Sequence, residues 1–288
     1  FAQIECSVGA ATPPVREGTT HTMRLEQLLK QPNALPTEPE LALVLIETFD
    51  KEDVDTSELA RAISTDPVLV AMLLKKSNSA FFGLSRTVTN VQEAMMMLGF
   101  SRVRALVLGA ILDKSFGVVP GVKLEQFWRY SFNTANMARY VASQLDIDLN
   151  TAFTVGVIHS IGELVMHVGM PDIMARMDAA VPPLAIERAK TEFLEFGYTY
   201  ADVGAALARD WRFPRSIINA IEFQRAPFEN EAYEPMAGVI HMAAWRARAA
   251  ELRQSEDDLI HTYPDEIGEL LGLDPDLLMD SFEGVLET

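Results

Sequence analysis

The chain has 288 residues, 49% of them hydrophobic and 23% charged, enough to bury a substantial core in one or two domains. A formal net charge of −17 excludes the attraction to phosphate backbones on which non-specific nucleic-acid binding depends. No uninterrupted apolar run approaches the roughly 20 residues that cross a bilayer, and a single cysteine, Cys6, excludes an internal disulfide and fits a reducing cytoplasm.

The chain opens at Phe1 with no basic segment ahead of an apolar one, so no signal peptide is expected. Residues 1–21 carry Pro13-Pro14, Gly9 and Gly18 without any period and read as a linker or tail. From Met23 onward the pattern is helical. Asp66-Pro67 opens VLVAMLLKK as an N-cap followed by proline at the first helical position. Asn90 with Glu93 predicts a capping box before AMMML, and Gly99 ends that helix. Ser101 is placed to cap the next, whose Val103, Leu106, Val107, Ala110 and Ile111 share one face. The punctuation of Gly117, Pro120 and Gly121 separates two helical lobes. Asn150 starts TAFTVGVIH, Thr199 with Asp202 opens ADVGAALARDW, and Pro214 ends the stretch that follows. The β-branched run Thr87-Val88-Thr89 reads as an extended connector, and no alternating strand pattern occurs. The expected fold is all-α, with a dozen or more helices. From Glu251 to Thr288 only Arg253 is basic, which predicts a solvated acidic helical surface, with docking of a basic partner as the sharper alternative.

Chemistry is harder to read. There is no CxxC, no HExxH, no GxSxG elbow and no phosphate loop. His159, Glu163 and His167 have i, i+4, i+8 spacing, but Gly162 is expected to interrupt the stripe. His159 and Ser160 are neighbours, so on a helix their side chains diverge and cannot make a Ser–His pair. Phe81 and Phe82 of NSAFFG cannot both face one core, and Met95, Met96 and Met97 suit either core filling or adaptable contact.

Several stretches carry a wider pattern. LPTEPELALVLIETF (35–49), ELARAISTDPVLVAMLLKKSNSAFFGLSRTVTNVQEAMMMLGFSRVRALVL (58–108), FWRYS (127–131), GVIHSIGELV (156–165), FGYTYADVGAALARDWRFP (196–214), AIEF (220–223) and VIHMAAWRA (239–247) follow in order. Together, over roughly residues 23–252, they resemble the HDOD domain of bacterial signal-transduction proteins, a branch of the HD phosphohydrolase superfamily. The resemblance implies an HDOD domain over 22–260, with an N-terminal lobe (22–116) packed on an HD-like lobe (122–260), between the tail and acidic C-terminal helices (261–288).

The resemblance also places a site. In active HD enzymes an early histidine, a His-Asp pair and a later aspartate hold the metal. Carried onto this chain, those positions are Tyr130, His159 with Ser160, and Ala244, while the region where relatives often bear further histidines reads Phe223-Gln224-Arg225. One neutral imidazole with no carboxylate is a poor site for a dication, and Arg225 turned inward would repel one. The expectation is therefore no catalytic residue, no metal and no cofactor. Tyr130, His159, Ser160, Ala244 and His241, one turn before Ala244, are either hydrogen-bonded core or a remodelled pocket. The implied function is a non-catalytic output module acting through protein partners, with no nucleic acid or membrane involved, often joined to a receiver domain. A nucleotide-binding sensor and a metal-dependent phosphohydrolase are the alternatives.

Overall fold

The computed structural model describes residues 23–31, 40–48, 56–79, 82, 85–227 and 234–279. The expected tail at 1–21, Cys6 and Phe81 lie outside these residues. The described residues form seventeen helices and no strand. The N-terminal part holds α1 (Leu25–Leu29), α2 (Glu40–Glu47), α3 (Thr56–Ser64), α4 (Pro67–Ser77), α5 (Val91–Leu98) and α6 (Phe100–Phe116). After the connector come α7 (Leu124–Ser143), α8 (Leu149–Ile158), α9 (Ile161–Gly169), α10 (Pro171–Ala180), α11 (Arg188–Phe196), α12 (Tyr200–Asp210), α13 (Arg215–Phe223) and α14 (Pro235–Glu251). Three short helices follow: α15 (Glu256–Thr262), α16 (Asp265–Leu271) and α17 (Asp276–Met279).

Several helix starts obey local chemistry. The Asp66 carboxylate accepts from the amides of Val68 and Leu69 at 2.9 and 3.3 Å, with Pro67 at the first helical position. Thr199 and Asp202 form a reciprocal capping box on α12. Asn90 caps α5 by accepting from the Glu93 amide at 2.8 Å, whereas the Glu93 carboxylate reaches back one residue further, to the amide and hydroxyl of Thr89. Two starts differ from the expectation. Helix α6 begins directly after Gly99, whose φ of 83° lets one residue end α5 and launch α6, so Ser101 lies inside the first turn. Helix α8 begins under Asp148, which accepts from the Thr151 amide at 2.7 Å, leaving Asn150 inside the helix. The charged carboxylate is the stronger acceptor for the free amides.

The Thr87–Thr89 connector is held by Asn78, whose side chain donates to the Val88 carbonyl at 2.8 Å and accepts from its amide at 2.7 Å. An amide side chain thus satisfies a backbone that has no strand partner. Phe82 packs against the core. Met95 is buried, but Met96 is 73% exposed and contributes nothing to the core.

Helix α6 joins the two lobes. Val103 through Leu112 are buried on every side, because α2, α4 and α5 pack on one part of its surface and α8 on another. Helix α1 crosses over to α9, and the Tyr198 hydroxyl donates to the Met23 carbonyl at 2.9 Å. One continuous apolar cluster therefore runs through both lobes. In the second lobe α7 packs against α8 and α14, α12 lies on α9 and α13, and α13 leads into α14. The acidic C-terminal helices turn Leu259, Ile267 and Leu278 inward while Glu256, Asp257, Asp265, Glu269 and Asp276 face solvent. Arg246 Nε donates to the Leu278 carbonyl at 2.8 Å and the Trp245 indole to the Thr262 hydroxyl at 3.1 Å, tying this segment to α14.

The span Leu149–Gly169 is long and apolar enough by composition to cross a membrane, yet 89% of its apolar window is buried in the fold. It is not one helix. The break falls at His159-Ser160, between α8 and α9, not at Gly162 as expected. Gly162 sits inside α9 because α12 crosses it there: a Cβ at this position would lie 2.0 Å from the Tyr200 carbonyl oxygen and 2.6 Å from the Gly204 nitrogen.

Candidate functional site

The α8–α9 break puts His159 and Ser160 in a turn, and this turn decides the site. Freed from a helical register, both side chains are buried, His159 completely and Ser160 to 5% exposure. The Tyr130 ring from α7 meets the His159 ring edge-on, with centroids 5.2 Å apart. The Tyr130 hydroxyl donates to the Ala244 carbonyl on α14 at 3.4 Å. Four positions drawn from three parts of the chain therefore do come together.

His159 Nδ1 lies 2.7 Å from the Gly156 carbonyl; a carbonyl only accepts, so Nδ1 carries the proton. Nε2 then holds a bare lone pair, buried and without a partner. Burial pushes the imidazole down to about 4; the Gly156 hydrogen bond acts against that, and the charges of Arg248 and Arg225 add to it. His159 is thus neutral at physiological pH. His241 is also lowered to about 4, by burial and then by Arg225, and its Nδ1 donates to the Gln224 carbonyl at 2.7 Å. Gln224 in turn donates to the carbonyls of His159 and Ile221 at 2.7 and 2.8 Å, locking the end of α13 onto the turn.

A cavity of about 320 Å³ opens beside this cluster. Tyr130 and Ser160 line it; His159, His241 and Ala244 do not. Arg225, Arg248 and Tyr200 line it too, and its apolar wall includes Phe127 of α7 and Pro182, Pro183 and Leu184 of the α10–α11 loop. Sequence reasoning had flagged Arg225 but missed Arg248, which falls one turn beyond Ala244 on α14.

The same cavity is bounded by a buried charge network that no motif announced. Arg188, 1% exposed, donates from Nε to Glu192 at 2.7 Å and from Nη1 to Asp178 and the Val181 carbonyl, both at 2.7 Å. Its Nη2 lies 3.6 Å from a Glu163 oxygen. His167 bridges the Glu163 carbonyl at 2.8 Å and the Asp178 carboxylate at 2.9 Å, and Glu192 accepts from the Tyr200 amide at 2.8 Å. Of the His159, Glu163, His167 stripe, the last two do meet, but His159 lies across the helix break from them. Among the described residues no group of three or more His, Cys, Asp or Glu side chains is placed to hold a metal ion.

The model of the HDOD domain matches residues 35–227 of the chain. The chain belongs to the HDOD family. The fold matches solved structures of similar domains. A candidate phosphohydrolase of Shewanella amazonensis SB2B is 30% identical, with a TM-score of 0.75 over 93% of this chain and 97% of that one. An HDOD domain protein of unknown function from Geobacter sulfurreducens is 23% identical, with a TM-score of 0.68 over 85% and 87%. A candidate signal-transduction protein of Marinobacter aquaeolei VT8 is 22% identical, with a TM-score of 0.72 over 91% of this chain and 58% of that one. Among curated proteins, an uncharacterised protein of Treponema pallidum (strain Nichols) is 26% identical over 221 residues, and the chain spans 41% of its length.

The HDOD site has a pH signature. Three carboxyls share one guanidinium, and burial raises Glu163 to about 7 and Glu192 to about 8. The native state therefore keeps protons that the unfolded chain loses near the ordinary value of 4.5. Their contribution is full at low pH and is lost as pH rises through 7 to 8. His159 and His241 act oppositely, because the unfolded chain protonates them below 6.5 while the native state keeps them neutral down to about 4. The two slopes offset each other between 4.5 and 6.5; above 6.5 only the carboxyl slope remains. Urea midpoints are expected to fall between pH 6.5 and 8.5, with stability dropping by on the order of 1 kcal/mol. In Glu163→Gln the fall should be shallower; an equal fall would locate the titration elsewhere.

Proposed function

We propose that this HDOD chain is a non-catalytic regulatory module of a signalling system, passing its state on through protein contacts. The observation that carries this reading is the charge beside the turn. The one imidazole at the HD ligand positions is accompanied by Ser160 and Ala244 where carboxylates would stand, and by two guanidiniums, Arg225 and Arg248. A divalent cation there would meet one lone pair and two positive charges. Tyr130 offers a phenol hydroxyl already engaged with the Ala244 carbonyl, a poor substitute ligand. Such a set falls short of the roughly three protein ligands and open position that metal-activated water needs, which supports the non-catalytic reading. A surface for contacts also exists: Phe193 and Leu194, adjacent on α11, are 60% and 76% exposed, with Ile186 just before them at 43%.

The similarity to a candidate phosphohydrolase supports the opposite reading, so the test is direct. The chain purified without chelator and offered Mn, Fe, Ni or Zn is expected to hold well under one equivalent of metal by elemental analysis. It is expected to leave bis-p-nitrophenyl phosphate intact. Stoichiometric metal together with turnover abolished in His159→Ala would establish the hydrolase instead.

A further inference from the structure

Arg225 and Arg248 are anomalous. Arg248 is 8% exposed, on the inner face of α14, and Arg225 follows directly on Gln224 at the end of α13. Among the described residues neither makes a salt bridge or a hydrogen bond, although the buried Arg188 is ringed by carboxylates and Arg246 donates to a carbonyl. Arg225 Nε is fully enclosed and unpartnered, and so is the Ser160 hydroxyl beside the same cavity. Desolvating a cation without a counter-ion is costly, and the usual remedies are a carboxylate or a lowered pKa. A guanidinium cannot shed its proton at physiological pH, and no carboxylate among the described residues is paired with either arginine. One buried and one half-buried guanidinium thus face a single cavity without a direct partner, while the carboxylates of Glu163 and Asp178 are engaged by Arg188.

We propose that this cavity binds a small organic phosphate, with its phosphoryl group between Arg225 and Arg248 and a hydrogen bond from Ser160. A phosphomonoester carries close to two negative charges at neutral pH, matching two guanidiniums, whereas a carboxylate would balance only one. The remainder of the ligand lies on the apolar wall of Phe127, Pro182, Pro183 and Leu184. A volume of about 320 Å³ is at the small end of the roughly 300–1,000 Å³ of small-molecule sites. It suits one compact ligand with a flat or apolar body. Tyr130 stands between the cavity and His159, so an occupant contacts the remodelled turn through Tyr130 and Ser160. The proposal rests on the reading of the site as free of catalytic metal and names the ligand class that such a module would sense.

The test uses the 288-residue chain with phenyl phosphate, inorganic phosphate and uncharged benzyl alcohol as probes. Phenyl phosphate at ten times its Kd is expected to raise Tm by about 3 °C or more. Inorganic phosphate should bind more weakly and benzyl alcohol not detectably. Arg248→Met and Arg225→Gln should each weaken phenyl phosphate at least tenfold. Each should also leave the ligand-free Tm unchanged or higher, because a partly or wholly buried charge without a partner is being removed. Three results would overturn the proposal: no shift with phenyl phosphate, a shift retained in both variants, or a lowered ligand-free Tm in both, which would make the arginines structural. Metal content measured on the same samples keeps the two readings apart: stoichiometric metal defeats the non-catalytic assignment, whereas a metal-free protein that ignores phosphates defeats only this one.

Discussion

Arg188→Met is expected to destabilise the protein by about 3–5 kcal/mol, the cost of removing one partner from a buried charge cluster. Methionine retains the length and apolar stem of the side chain, so the loss is electrostatic rather than a cavity. What remains is Glu163, Asp178 and Glu192 around an empty centre, with His167 the one neighbouring base. Glu163 and Glu192 already hold their protons well above the ordinary carboxylate range with the guanidinium present, chiefly through burial. Without it they rise further. The loss should therefore be larger at pH 8 than at pH 5.5, where both carboxyls are neutral and ask for no counter-charge. Urea denaturation at the two pH values measures this. Arg129, 43% exposed at the side chain and paired with Glu251, is the natural control, and its methionine variant should lose less than about 1 kcal/mol. Equal losses at both positions would contradict the burial argument. The Arg188 network also ties down the α10–α11 loop through the Val181 carbonyl, so the variant should loosen one wall of the cavity.

Gly162→Ala is expected to cost about 3 kcal/mol or more, lowering Tm by about 6–12 °C. The sign is opposite to that of a Gly→Ala change in an exposed helix, where alanine gains about 1 kcal/mol from propensity. The reason is the α9–α12 crossing. The new methyl group would lie 2.0 Å from the Tyr200 carbonyl oxygen and 2.6 Å from the Gly204 nitrogen, and these are backbone atoms that no rotamer change can move aside. The helices must separate, carrying Tyr200 away from the cavity and its amide away from Glu192. Gly109→Ala is the graded comparison. Its methyl group would meet the Val157 side chain at 3.1 Å, a contact a side chain can relieve, so its Tm should fall much less. A ranking with Gly109→Ala as the worse variant would show that the α6–α8 contact, not the α9–α12 crossing, is the tighter one.

These two sites illustrate what the sequence conceals. The Arg188 network joins α9, α10 and α11 through side chains 4 to 25 positions apart that match no motif. Charged residues read from sequence default to solvent, and only the packing of α9 against the α10–α11 loop puts these inside. Gly162 read as a helix breaker, because the intrinsic preference of glycine is all that sequence exposes. Its actual role depends on a helix that begins about 40 residues later. The break itself falls at His159-Ser160, where no glycine or proline marks it.

By itself the sequence determined the all-helical fold, the starts of α4, α5 and α12, and the family. Each of these rests on short-range chemistry: an acceptor within three residues of a free amide, an apolar period within one helix, motifs in a fixed order. The tertiary structure alone decided that Tyr130, His159 and Ala244 converge, that the space beside them is open, and that Arg248 joins Arg225 there with no salt bridge to either among the described residues. Those outcomes depend on how α7, α13 and α14 are laid against the α8–α9 turn. Burial and distance, which set the cost of a charge or the room for a methyl group, do not exist until the helices are packed.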